Sequence, residues 1–236
     1  MDTRFWGPPA WILLHTLAYH YKPELKSEYK IFFNNLKYVL PCIYCRVSFT
    51  EYTEALPIDS YLNSRDDMFK WLYEIHNMVN DKLRSQGLIH WENPSLSEII
   101  NRYKSFEIDN CQVRDKSIMG WNFLYSIAFN YPEDGLTTIQ TSHYHGYLTF
   151  FNFLGKILMG KYHEMYNEYL NKNSVVDSLK GREYLQKWVY NLETHMNTFL
   201  KLKCSSFLEI EELIESYRAG CGGINKDTKP TCRKKN

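Results

Sequence analysis

Apolar residues recur at helical spacing from the start of the chain. Trp11, Leu14, His15 and Ala18 repeat every three to four positions through Tyr21. Pro8 and Pro9 suit the first turn of that helix, and Pro23 ends it. A second helix is predicted over Ser27–Leu40, with Ile31, Leu36, Val39 and Leu40 apolar. Pro41 breaks it and opens a third, with Cys42 in its first turn, which runs to Ala55 before Pro57. A fourth covers Asp66–Arg84, where Phe69, Leu72, Tyr73, His76, Val79 and Leu83 share related faces, and Gly87 closes it. A short fifth follows Asn93-Pro94, from Ser95 to Tyr103. Strand-like alternation is missing, so the fold class expected is all-α, a five-helix bundle.

The second half repeats this pattern. The segment MGWNFLYSIAFNYPEDGL (119–136) echoes FWGPPAWILLHTLAYHYKPEL (5–25), with Trp121 opposite Trp11 and Tyr125 opposite His15. YLTFFNFLGKIL (147–158) echoes YKIFFNNLKYVL (29–40). KWVYNLETHMNTFL (187–200) echoes KWLYEIHNMVNDKL (70–83), with Asn197 opposite Asn80. Three matches in one order at a near-constant offset point to a duplicated bundle. Carried along that offset, Gly160 falls opposite Cys42, His163 opposite Cys45 and Glu193 opposite His76, so packing residues persist where polar ones change. The expected organisation is a first domain over 1–106, a linker over 107–117, a degenerate helical repeat over 118–219 and a flexible Cys-containing tail over 220–236.

Composition changes this picture little. Apolar residues make up 44% of the 236 and aromatics 16%, which is ample for a core. The formal net charge of +1 is spread along the chain, with a basic cluster only at the end. No basic face for nucleic acid is expected. The apolar runs fall well short of the roughly 18 residues that a membrane span needs. The start MDTRFWGPPAW lacks the features of a secretory signal peptide, so a cytoplasmic protein is expected.

Six cysteines fit that setting only if some are chemical. Cys42-Ile43-Tyr44-Cys45 places two thiols three residues apart at a helix start. Such a pair can close a small disulfide ring, and a helix N-terminus stabilises a thiolate. Thiol–disulfide exchange needs both properties. Spacing alone leaves a zinc site and an inert core pair open. A zinc site needs two more ligands, and neither a second CxxC nor an HxxxH follows. A thioredoxin-like motif would sit in a βαβ pattern, which is not present. A dithiol on an all-α scaffold needs another electron acceptor, and a flavin takes two electrons from a dithiol and delivers them to oxygen. Asn80 in mid-helix is unfavourable by propensity and suggests a buried hydrogen-bonding task. By burial habit alone, Trp11, His15 and His76 read as core residues.

Four segments in order, Trp6-Gly7-Pro8-Pro9-Ala10-Trp11, Leu14-His15-Thr16-Leu17-Ala18, Leu40-Pro41-Cys42-Ile43-Tyr44-Cys45 and His76-Asn77-Met78-Val79-Asn80-Asp81-Lys82-Leu83, resemble the signature of the Erv/ALR sulfhydryl oxidases. The resemblance spans residues 4–104. It implies a five-helix bundle that binds FAD, usually as a homodimer, and forms disulfides in thiol-containing protein substrates while reducing oxygen to hydrogen peroxide. Cys45 resembles the cysteine beside the flavin C4a, and Cys42 the outer one attacked by an incoming thiol. Trp11, His15 and Tyr19 resemble the first-helix lining of the FAD site. His76 and Asn80, at i and i+4, resemble the pair that touches the flavin and adenine parts. Asn77 assists, Lys82 lies near the phosphates, and Tyr103 packs on the cofactor with Arg102 and Lys104 nearby. Arg4 is a further candidate. The Tyr, Lys and Asn enrichment, with the degenerate second half, is similar to the oxidases of large DNA viruses, for which host cytoplasm or virion is the expected location.

The sequence also departs from that family. Tyr73 stands where many members have one half of a structural disulfide. A mobile shuttle pair, common in the family, could be supplied by Cys221 and Cys232, unless Cys204 and Cys221 form a structural bridge. Cys111 is another relay candidate. The rival reading is a non-catalytic helical interaction module whose CxxC is structural or zinc-bound.

Overall fold

The computed structural model describes residues 2–104, 117–135 and 141–217. Cys111, Cys221 and Cys232, most of the expected linker and the whole expected tail lie outside the described residues. Among the described residues the regular elements are all helical.

The first helix, α1 (Thr3–Tyr19), begins earlier than the prolines suggest. Asp2 caps it, its carboxylate accepting the Arg4 amide at 2.8 Å. Pro8 and Pro9 therefore sit inside the helix. They withhold the N–H groups that would otherwise reach the carbonyls of Arg4 and Phe5 one turn back. The cap outweighs the proline signal because Asp2 satisfies an orphan donor of the first turn.

A short 3-10 turn, Pro23–Leu25, leads into α2 (Lys26–Val39). Leu40, Pro41 and Cys42 connect it to α3 (Ile43–Ala55). The indole of Trp71 donates to the Leu56 carbonyl at 2.9 Å and so closes the end of α3. Next comes α4 (Arg65–Ser85), capped by Ser64, which accepts the Asp67 amide at 3.1 Å. Asp66 and Asp67 in its first turn and Lys82 and Arg84 in its last complement the helix dipole. Then α5 (Leu96–Lys104) returns to α1, where the Tyr103 hydroxyl donates to the Trp11 carbonyl at 3.3 Å. Tyr19 meets Phe69 while Trp11 meets His76, so α4 runs antiparallel to α1.

The second half continues with α6 (Trp121–Phe129), α7 (Thr141–Ile157), α8 (Gly160–Lys172), α9 (Val175–Ser178), α10 (Arg182–Leu200) and α11 (Phe207–Ser216). Helices α3 and α8 have 13 residues each, and both their ends lie 117 positions apart (43 and 160, 55 and 172). Individual contacts recur too. Trp188 donates to the Asn173 carbonyl at 2.8 Å, as Trp71 does to Leu56. Tyr131 donates to the Leu179 carbonyl at 2.9 Å, as Tyr21 does to Leu62 at 2.8 Å.

The halves do not have separate cores. One continuous apolar cluster runs from Phe5 to Ile214. Helix α7 packs along α2, and α6 along α1. Gly120, at φ +58, lets α6 start hard against α1, where a Cβ would lie 2.7 Å from the Pro9 carbonyl oxygen. Gly146 lets α7 close on α2, where a Cβ would lie 2.4 Å from the Tyr38 Cβ.

Candidate active site

The cysteine pair sits where the α2–α3 connection becomes helix. Cys42 is the N-cap of α3, with extended backbone, and Cys45 is the third residue of the helix. The expectation put Cys42 inside the first turn; it stands one step before it, because Pro41 precedes it and holds the chain out of helical conformation. Cys45 thus lies among the first-turn amides, where the dipole favours a thiolate. Cys42 is buried and Cys45 half-buried. Ile43 between them is 61% exposed. The guanidinium of Arg46 donates from Nε to the Leu40 carbonyl at 2.7 Å and ties the helix start to the end of α2.

A second cluster forms where α1, α4 and α5 meet. Trp11 lies flat on His76, with ring centroids 3.7 Å apart and planes 9° from parallel. His15 Nε2 is 3.0 Å from His76 Nδ1. Tyr103 stacks over His15 at 5.2 Å, and Phe69 packs edge-on against both at 5.3 and 5.9 Å. Tyr19 joins from the rim through Phe69, at 5.9 Å. Sequence positions scattered over some ninety residues therefore build one aromatic–imidazole group, with Trp11, His15, Tyr19, His76 and Tyr103 all in it.

Burial decides the charge of this group. It holds the His15 imidazolium well below its ordinary pKa, helped by His76 and Arg102. His76 is pulled down to about 4, again by burial first and then by Arg102. Burial raises the Tyr103 hydroxyl. At neutral pH the cluster is uncharged and aromatic, with Arg102 as the neighbouring cation.

The remaining candidates sit along α4. Asn80 is buried and donates to the Asn93 side-chain oxygen at 3.1 Å. Lys82 donates to the Ser48 hydroxyl at 2.5 Å. Ser48 is buried, one turn beyond Cys45 on α3. This bond joins the cysteine helix to the end of α4. Asn77 is half-buried. Arg4 turns to Asp2 with two guanidinium bonds, which engages it in capping α1. Ser48, Phe69 and Asn93 were not among the sequence candidates. Phe69 was legible only as a core position, and Ser48 only by its step of three from Cys45.

Whether a planar, phosphate-bearing group such as FAD suits these residues can be judged from one atom. His15 Nδ1 is buried without a hydrogen-bond partner. An orphaned buried ring nitrogen is costly unless something pairs with it. Stacked rings, neutral imidazoles, a carboxamide and an ammonium group form a donor set that fits a flavin and its pyrophosphate. Among the described residues no three His, Cys, Asp or Glu side chains come together as a metal set. No described helix is long and apolar enough to cross a membrane.

Comparison with known proteins points the same way. Residues 8–98 match the model of the Erv1/Alr family. Over 85 residues the chain is 38% identical to the probable FAD-linked sulfhydryl oxidase of Acanthamoeba polyphaga mimivirus, covering 34% of this chain and 59% of that one. It is 35% identical over 88 residues to the mitochondrial FAD-linked sulfhydryl oxidase of Saccharomyces cerevisiae, covering 35% of this chain and 45% of that one. It is 29% identical over 124 residues to the FAD-linked sulfhydryl oxidase of African swine fever virus, covering 50% of this chain and 98% of that one. The chain thus spans about half the length of the first two relatives. No solved structure matches.

Proposed function

We propose that this chain, which carries an Erv1/Alr family domain over residues 8–98, is an FAD-dependent thiol oxidase that makes disulfides in protein substrates. The observation that carries this reading is the convergence of Trp11, His15, His76 and Tyr103 on one uncharged stack, within the same matched domain as the Cys42–Cys45 pair.

The chemistry starts from Cys42 and Cys45 joined as a disulfide. A substrate thiolate attacks Cys42 Sγ, forms a mixed disulfide and expels Cys45 as a thiolate. A second substrate thiolate attacks the substrate sulfur of that mixed disulfide, completes the substrate disulfide and leaves Cys42 reduced. Cys45 is the better leaving group because it lies among the first-turn amides of α3. When bound, FAD takes the two electrons of the Cys42–Cys45 dithiol and passes them to oxygen, giving hydrogen peroxide.

The protein's own residues bind and orient. Trp11, His76 and Tyr103 offer flat faces, and bound cofactor would substitute for part of their ring–ring contact. His15 Nδ1 offers the unpaired nitrogen. Lys82 would hold phosphate oxygens, exchanging its bond to Ser48 for them. Asn80 and Asn77 present amides from the same helix.

Relay by Cys221 and Cys232 belongs to the same proposal. Its support is where the described chain stops: the Tyr217 carbonyl accepts the Asp2 amide at 3.1 Å, and the Tyr217 ring stacks on Phe5 at 4.6 Å. That is the N-terminal end of α1, level with the end of α4 where Lys82 meets the cysteine helix. Cys221 follows four residues later, within about 14 Å of reach.

The test is oxygen consumption with a small dithiol and with a reduced protein, on chain purified with its cofactor. Flavin-dependent uptake that needs both Cys42 and Cys45 supports the reading. A colourless chain with stoichiometric zinc supports the interaction module instead. Replacing Cys221 and Cys232 by Ser should slow the reaction with the protein and spare the small dithiol; equal rates on both remove the relay.

A further inference from the structure

We infer that the second half of this chain occupies the place of a second subunit, so that one polypeptide is a complete, asymmetric counterpart of a two-fold dimer with one cofactor site. This stands in place of the homodimer that the family resemblance implies.

The first support is correspondence between the halves. Helix lengths, tryptophan caps and tyrosine bonds recur in the same order, as described above. Ring contacts recur as well. Phe33 meets Trp71 edge-on at 5.4 Å, and Phe151 meets Trp188 at 5.2 Å. Tyr21 meets Tyr29 edge-on at 4.7 Å, and Tyr131 meets Tyr147 at 4.8 Å. Such pairs fix side-chain direction as well as helix order, which chance similarity between bundles would not reproduce.

The second support is how the halves meet. In an isologous interface each element faces its own counterpart, and residues on the axis touch themselves. Here α1 packs on α6 and α2 on α7, each helix on the one that corresponds to it. Phe32 stacks on Phe150, its counterpart in the aligned sequence, at 5.1 Å. The close approaches at Gly120 and Gly146 lie on these two contacts. The faces of α1 and α2 that a separate copy would need are thus already buried, with Phe32, Leu36, Phe150 and Leu154 fully inaccessible.

The third support is that only one half keeps a site. Where His15 faces His76, the second half has Tyr125 donating to Glu193 at 2.8 Å, both buried. No aromatic stack over an imidazole remains there. The cysteine turn is also altered. Three residues, Leu40, Pro41 and Cys42, join α2 to α3, but only Leu158 and Met159 join α7 to α8. The register expected from the sequence, Gly160 against Cys42 and His163 against Cys45, is therefore one residue off. Helix starts pair Cys42 with Met159 and Cys45 with Tyr162, and neither counterpart can exchange a disulfide.

The flavin count rests on the thiol-oxidase reading; the chain count does not. Native mass spectrometry of the full chain at several micromolar concentrations reads both. One chain of 28.2 kDa with one FAD is the expected species. A stable two-chain species, or two FAD per chain, overturns the inference. A single chain without flavin upholds it while removing the thiol-oxidase reading. Light scattering on the Phe32→Tyr variant gives a second measure of chain number with the core volume nearly kept; a two-chain species there also overturns it.

Discussion

His15 Nε2 and His76 Nδ1 lie 3.0 Å apart, with Trp11 flat on one ring and Tyr103 over the other. One nitrogen donates and the other accepts, so both rings are neutral and their tautomers are linked. That bond uses Nε2 of His15 and leaves its Nδ1 with no protein partner.

Removing either ring should therefore weaken cofactor binding more than fold stability. For His76→Ala the loss combines a stacked pair, about 0.5–1.5 kcal/mol, with a hydrogen bond of about 1 kcal/mol. The FAD dissociation constant should rise roughly 10- to 60-fold, by the rule of a factor of ten per 1.4 kcal/mol. Titration by flavin fluorescence checks this, and an unchanged constant removes His76 from the site.

Acid should destabilise this cluster. The folded pKa of His76 is lowered, to about 4, so between about pH 6.5 and 4 the unfolded state binds the proton and the folded state does not. Stability from this group is complete above the unfolded pKa and falls as pH drops through that window, by up to about 3 kcal/mol. His15 adds in the same direction. Melting curves from pH 7 to 4 should show the loss, and His76→Asn should flatten it. A wild-type melting temperature constant over that range contradicts the assigned burial.

The paired tryptophans should behave alike. Trp71→Phe leaves the Leu56 carbonyl unpaired, and Trp188→Phe does the same to Asn173. Each should cost about 1–3 kcal/mol. Urea unfolding measures both. A large cost at one and none at the other would show that the two bonds do different jobs.

Gly146→Val should be disruptive although valine is apolar. Its Cβ would fall 2.4 Å from that of Tyr38, a backbone-attached atom that cannot swing away. The α2–α7 contact must open, at about 1–3 kcal/mol or more. Thermal unfolding checks the size, and a neutral result would mean that the helices are not so closely packed.

Much of this was legible in the sequence. Helical spacing and proline punctuation placed α2 to α5 within a residue or two of their observed ends. Pro8 and Pro9 misled at α1, because their bias toward a first turn competes with the Asp2 cap, and the cap wins. The cysteine helix was legible from Pro41 and the CxxC itself. The partners of the site were not. Ser48 meets Lys82, and Asn80 meets Asn93, only through tertiary packing that no local pattern encodes. The one-residue slip between the halves was hidden for a related reason: it lies in the turn before α8, between two segments whose alignments are each clear.

The most direct measurement of the central claim is anaerobic addition of a dithiol to the purified chain while its visible flavin absorbance is followed. Loss of that absorbance in the wild type, its recovery on admitting oxygen, and no rapid loss in Cys45→Ser with flavin still bound are the predicted results. A chain that binds no flavin, or whose flavin is reduced equally fast without Cys45, would contradict the account.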